Sequence, residues 1–390
     1  MVHQKNLLFL FLLFLTLYSC NEKKERQLYK NLDLSFGKHD IGFESILLYD
    51  SSRVFKVDTS GIQMRPVKID VWFPSNGVGK QMTYEYYFNL YRMRTDFDAP
   101  IDSIKVESLE LASVIGRYFN STSAFRILNM KSPAKWEAER IEGDFPLIIY
   151  YPAPNGMGLF NAIMLEYLAS HGFIAASISS VGEYPGDMQR NLDGLVAQVE
   201  DGFFALKYLL LNYEGIDTEK IAGIGASWGG LALVVSAILN QNLDIMISLD
   251  GSDQWVFGNS PIDDRHFEQI RHSYFFTPEK LQIPYLYLNS NLELDRFQVD
   301  SVYRTYVHTR SNDINYLKYN KLNHDGFNCF PTLTNLIQKQ DDDFNKYYII
   351  LCETVLKFIQ ENLKDETGME FKKYEESILK EYSETISNTF

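Results

Sequence analysis

Cysteine is scarce, with three in 390 residues, so the chain is not a disulfide-stapled scaffold. Twelve prolines and 23 glycines are too few for a collagen-like or low-complexity chain, and no internal repeat is visible. Positive charge is in deficit. The 37 Lys+Arg against 51 Asp+Glu give a formal charge of -14, which argues against a phosphate backbone or an anionic membrane surface as the main partner, so no nucleic-acid binding is expected. The chain also lacks HExxH, Walker-type and paired CxxC motifs, so no metal or nucleotide cofactor is expected. What remains is a composition with 45% hydrophobic and 14% aromatic residues. It is enough to bury a core in one large α/β domain or two ordinary ones.

One long apolar run exists, LLFLFLLFLTL from Leu7 to Leu17 after Lys5, short for a bilayer span and placed as a secretory signal is. Leu17-Tyr18-Ser19-Cys20, followed by polar Asn21 to Arg26, resembles the lipobox of bacterial lipoproteins, with Tyr18 as the departure. The resemblance implies a signal peptide over 1–19, a lipid on Cys20 as membrane anchor, a tether over 20–39 and a cell-envelope location. An ordinary cleaved signal or an uncleaved anchor is the plainer alternative. Outside the cytosol Cys329 and Cys352 could pair, although two buried free thiols are the simpler expectation.

From residue 40 onward, apolar runs ending in Gly, Pro, Asn or Asp alternate with helical patterns, which predicts a mainly parallel sheet of eight strands flanked by helices. The strands are expected at Ile46 to Tyr49, Val67 to Phe73, Leu147 to Tyr151, Phe173 to Ser179, Lys220 to Gly225, Asp244 to Leu249, Pro284 to Leu288 and Ile314 to Tyr319. Helical spacing covers Leu159 to His171, Met188 to Tyr213, Leu231 to Asn240 and Val299 to Arg310, with Leu192, Leu195, Val199, Phe203, Leu206 and Leu210 as one sheet-facing stripe. Residues 76–143 are too long for a connection and read as a partly helical insertion before the third strand. Gly251 to Gln282 is an aromatic-rich excursion, and 365–390 a polar helical tail with no evident role. The main domain is thus expected over 40–364.

Gly225-Ala226-Ser227-Trp228-Gly229 matches G-x-S-x-G, a triple that arises by chance in about one chain in ten of this size. Here it follows a strand and opens an apolar helix, the setting that turns a serine out at the carboxyl edge of a sheet. A serine hydroxyl needs a neutral imidazole to take its proton and a carboxylate to fix that imidazole's tautomer. Where such an elbow is used the chain order is serine, acid, histidine. His324 lies in a turn just past the last strand, whereas His266 and His272 fall in the charged excursion and His308 within a helix. For the acid, Asp250 ends the run Ile245 to Leu249 and is preferred. Glu293 and Asp295, after the next strand, are the rivals.

These residues, with Ile283-Pro284-Tyr285-Leu286-Tyr287-Leu288-Asn289-Ser290, resemble the platelet-activating-factor acetylhydrolase branch of the α/β-hydrolases, close to dienelactone-hydrolase-like bacterial proteins. Ala169-Ser170-His171-Gly172-Phe173 and Asp70-Val71-Trp72-Phe73-Pro74 add to the likeness, which spans roughly 40–75 and 140–335. It implies an α/β-hydrolase fold, a Ser227-Asp250-His324 triad, a structural His171 and an oxyanion-binding N–H at Trp228. One feature departs. The family has His-Gly-x-Gly after the strand ending at Tyr151, and this chain has Pro152-Ala153-Pro154-Asn155-Gly156, placing Pro154 where the second donor belongs. Proline has no N–H, so that donor must shift to Asn155 or Gly156, or be weakened.

The expected activity is a serine hydrolase cleaving small-molecule carboxylic esters through an acyl-enzyme. The rival readings are a non-catalytic binding module of the same fold, favoured by Pro154, and a serine peptidase, which lacks any propeller-like repeat to gate a peptide. The aromatics of 76–143 and those around Trp255 and Phe257 either line an acyl pocket or pack.

Overall fold

The computed structural model describes residues 32–388 apart from 59–60, 120–121, 183–187, 240–241, 255–260, 291–308, 312, 341–342 and 365–369. The signal and Cys20, most of the predicted helix Val299 to Arg310, Trp255, Phe257, Glu293, Asp295 and His308 lie outside the described residues.

The parallel centre of the sheet follows from strands that are apolar on both faces. β5 (Phe145–Tyr151), β6 (Ile174–Ile178), β8 (Ile245–Leu249), β9 (Tyr285–Asn289) and the second half of β7 (Ile216–Ala226) are almost wholly buried, largely apolar runs. With β10 (Ile314–Tyr319) they pair in parallel in the order β10-β9-β8-β7-β5-β6. β1 (Asp40–Asp58) and β2 (Gly61–Ser75) form a long antiparallel hairpin with bulges near Val54, and β2 joins β6 antiparallel.

The sheet has eleven strands, not eight. Two extra strands come from the insertion, where β3 (Lys80–Thr83) and β4 (Lys131–Trp136) extend the sheet beyond β1. Between them run α1 (Tyr84–Arg92), α2 (Ile101–Tyr118) and α3 (Ala124–Leu128). The third extra strand, β11 (Ile386–Ser387), closes the far edge against β10, so the tail is part of the sheet. Short edge pairs with lysines carry too little hydrophobic alternation to be seen in sequence.

Each sheet face carries its own core. On one, α4 (Ala162–Ser170), α8 (Phe330–Gln338) and α9 (Asp343–Leu363) pack with the insertion, and α10 (Glu370–Glu381) adds Phe371 and Ile378. On the other lie α5 (Leu192–Asn212) and α6 (Trp228–Leu239). The stripe of α5 buries Leu195, Val199 and Leu206, with Leu192, Phe203 and Leu210 on its half-buried flanks. Several of the insertion's aromatics are core, whereas Tyr118 is exposed and its hydroxyl donates to Asp325, the residue after His324, at 3.1 Å. Tyr84, Tyr87 and Phe88 are buried, and the Tyr87 hydroxyl accepts from Trp72 Nε1 at 2.8 Å and donates to buried Glu166 at 2.8 Å. Cys329 and Cys352 are both buried free thiols.

Candidate active site

The strand-turn-helix at Ser227 is built by glycine contacts. An added Cβ on Gly225 would lie 2.4 Å from the Gly229 carbonyl oxygen, and one on Gly229 would lie 2.0 Å from the Tyr151 oxygen. Only glycines let α6 start against the ends of β7 and β5. Ser227 is held at φ +55, a left-handed conformation that costs a non-glycine residue free energy unless its surroundings impose it. They do: its N–H donates to the Leu249 carbonyl at 3.0 Å, and its own carbonyl accepts Gly230 N–H and Ser252 N–H, each at 2.9 Å.

Asp250 leaves the carboxyl end of β8, also with positive φ (+47), and its N–H donates to Leu288 O at 2.7 Å. Its Oδ1 accepts the Ser290 N–H at 2.8 Å, and its Oδ2 lies 2.6 Å from His324 Nδ1. An ionised carboxylate only accepts, so Nδ1 carries the imidazole proton and Nε2 presents a lone pair. That Nε2 lies 3.0 Å from Ser227 Oγ. The three side chains therefore form one chain of hydrogen bonds at the carboxyl edge of the parallel strands.

His324 opens a single 3-10 turn, His324–Phe327, after β10. Asn323 caps it, its Oδ1 accepting Gly326 N–H at 3.0 Å. Burial by itself lowers the imidazole's proton affinity, but the hydrogen bond and charge of Asp250, with Asp325 adding, outweigh it, so the pKa stands above its usual 6.5. The Asp250 side chain is fully buried and Ser227 is 6% exposed, whereas a third of the His324 side chain between them is exposed.

The other described histidines that the sequence analysis names lie elsewhere. His272 is exposed beside Glu268, His266 sits on α7 (Pro261–Arg271) near Gln269, and His171 bonds Tyr167 O at 2.9 Å where α4 ends. At the turn after β5, Asn155 has φ +60 and its side chain accepts Met188 N–H at 2.5 Å, while Gly156 N–H is spent on Ala153 O. Among the described residues, the Asn155 and Trp228 N–H groups have no hydrogen-bond partner. Ser252 and Asn323 do not stand out in the sequence as site residues, and Ser290 figures there only within the run that carries the resemblance. Asn323 carried a signal, a capping residue directly before a turn, whereas the other two act through main-chain N–H groups that composition does not mark.

No protein-family model matches the chain. In overall shape it is similar to a ferulic acid esterase from Streptomyces cinnamoneus, with a TM-score of 0.60 at 16% identity, covering 85% of this chain and 93% of that one. The chain has the α/β-hydrolase fold. Within that fold, it is 25% identical over 227 residues to the platelet-activating factor acetylhydrolase of Bos taurus and 25% over 209 residues to that of Canis lupus familiaris. These matches span 45% and 40% of this chain, and 47% and 45% of the relatives, about half their length. Over these stretches the chain is thus similar in sequence to acetylhydrolases, and in fold to an esterase.

Proposed function

We propose that this protein is a serine hydrolase of carboxylic esters. The carrying observation is His324, with Nδ1 at 2.6 Å from Asp250 and Nε2 at 3.0 Å from Ser227 Oγ. In the mechanism, Ser227 Oγ attacks the acyl carbon as its proton passes to Nε2, and Asp250, staying ionised, stabilises the imidazolium. The tetrahedral oxyanion is held by the N–H groups of Trp228 and Asn155. Collapse breaks the ester C–O bond, and Nε2 returns the proton to the departing alcohol. Water, deprotonated by His324, then cleaves the acyl-Ser227 ester to release the acid and the free serine. The acetylhydrolase and esterase relatives support ester substrates over amides.

Turnover of p-nitrophenyl acetate and butyrate by the purified protein, lost in Ser227→Ala, together with labelling of Ser227 by a fluorophosphonate, is the expected result. A folded protein with neither turnover nor labelling rejects this reading. It would favour a non-catalytic binding module, the alternative that Pro154 supports because it removes a main-chain donor beside the elbow. Anchoring to the envelope through lipid on Cys20 is a separate proposal, carried by the run Leu7 to Leu17 and the small Ser19 before the cysteine. Labelled fatty acid incorporated by the full chain and lost in Cys20→Ser tests it.

A further inference from the structure

A second carboxylate, Asp253, lies three residues beyond Asp250 and is 1% exposed. Three neutral donors hold it: Ser248 Oγ on Oδ1 at 2.7 Å, and on Oδ2 the Gln254 amide at 2.8 Å and the Tyr285 hydroxyl. Ser248 belongs to β8 and Tyr285 to β9, so this side chain ties the loop after β8 back onto the two strands beneath it. The same loop touches the helix of the elbow. A Cβ on Gly251 would fall 2.1 Å from Ser248 Oγ and 2.2 Å from Asp253 Oδ1, and one on Gly230 would fall 2.7 Å from the Gly251 Cα. Between Gly251 and Asp253 sits Ser252, whose N–H holds the Ser227 carbonyl at 2.9 Å.

Resting on the reading of Ser227 as nucleophile, we propose that Asp253 is a positioning residue for it: its buried hydrogen bonds fix the Gly251–Asp253 loop, whose Ser252 N–H locks Ser227 in its left-handed conformation. A residue at positive φ relaxes when the contacts that impose it loosen. Asp250 has independent supports, its N–H on Leu288 and its Oδ1 on Ser290, so the loop's effect falls on the serine rather than on the Asp250–His324 pair. A buried amide in place of the carboxylate accepts through one oxygen only, so the Ser248 hydroxyl must reverse to accept from the amide NH2 and its own proton loses the acceptor it had.

The experiment compares wild-type and Asp253→Asn protein on p-nitrophenyl butyrate, with active serines titrated by a fluorophosphonate. The expected result is kcat per titrated serine, and the phosphonylation rate, lower by about tenfold or more, with KM within about twofold and the pH midpoint of kcat/KM unchanged. Gly251→Ala, which pushes into the Ser248–Asp253 bond from the other side, should show the same pattern. Unchanged kcat per titrated serine in folded Asp253→Asn, or a shifted pH midpoint with an unchanged plateau, overturns the proposal. If Asp253→Asn does not fold, Ser248→Ala and Tyr285→Phe each remove one donor. Each should lower kcat about threefold to tenfold, and wild-type rates in both overturn the proposal. Failure of the wild-type protein to be phosphonylated is a different outcome, and rejects Ser227 as nucleophile altogether.

Discussion

Asp250 and His324, 74 residues apart in the chain, meet at 2.6 Å between Oδ2 and Nδ1, with the other carboxylate oxygen held by the Ser290 main chain. The buried carboxylate thus has a fixed orientation and the imidazole a fixed tautomer. Asp250→Asn keeps the shape but places an amide NH2 or a weaker acceptor opposite Nδ1, which favours the wrong tautomer. We expect kcat to fall on the order of 10³–10⁴-fold. Glu293→Gln and Asp295→Asn should leave it near wild type. Steady-state kinetics on a p-nitrophenyl ester check this, and the reverse pattern would reassign the acid to the loop after β9.

The same pair sets a pH dependence. Turnover needs the neutral imidazole, and the Asp250 bond and charge overcome the burial that would lower its pKa, so kcat/KM should rise with pH through a midpoint above 6.5. Asp250→Asn removes both of those raising causes and leaves burial opposed only by the smaller effect of Asp325, so its residual activity should have a lower midpoint. The stability consequence has the opposite pH sense. A histidine whose folded pKa is raised contributes stability that is fully present below the unfolded value and is lost as pH rises through the folded one. Thermal melts of wild-type and Asp250→Asn protein should therefore differ more below pH 6.5, where the raised His324 keeps its full contribution, than at pH values above the folded pKa, where that contribution is lost.

Gly229 is a steric requirement rather than a flexible link. Its hypothetical Cβ falls on two carbonyl oxygens, Tyr151 at 2.0 Å and Pro152 at 2.6 Å, and neither is the movable end of a side chain. Gly229→Ala must push α6 away from β5, at a cost of about 1–3 kcal/mol in overpacking. It should also carry the Ser227 elbow away from the turn at Asn155, so turnover should fall more steeply than stability. Urea melts and kinetics on the same preparation measure both, and a fully active Gly229→Ala would show that the elbow tolerates the shift.

Much of this architecture is legible because the central strands are apolar on both faces and end in turn residues: Ile314–Tyr319 falls where the sequence pattern puts it, and Leu147, Ile221 and Ile245 all lie within the expected runs. The outer strands are not legible in the same way. Lys80–Thr83 and Lys131–Trp136 are short and polar on one side, and Ile386–Ser387 is two residues long, so each exists only because a neighbouring strand offers its edge. Pairing by tertiary context leaves no periodic trace. At the site Asp250 is only preferred over Glu293 and Asp295 in the sequence, while Ser227 and His324 stand out through motif and chain order. Ser290 and Ser252 do not, because the groups they contribute are main-chain N–H groups common to nearly every residue.

In the proposed mechanism the turn after β5 supplies the second oxyanion donor, and since Pro154 offers no N–H and Gly156 spends its own on Ala153, that role is proposed for Asn155 beside Trp228. Asn155 adopts φ +60, a conformation asparagine tolerates better than most residues, and its Oδ1 on Met188 N–H holds it there. Asn155→Gly keeps the N–H and accepts positive φ while losing only that side-chain anchor, so kcat should stay within about tenfold of wild type. Asn155→Pro removes the donor and forces φ to about −65°, so kcat should drop by about 10²–10³-fold, the usual cost of one oxyanion donor, or further as the turn deforms. Supplying an N–H one residue earlier with Pro154→Ala should bring little gain if Asn155 already fills the role. A Pro154→Ala protein that turns over esters ten or more times faster, by the factor expected for a missing donor, would instead show that the natural turn leaves the hole half built.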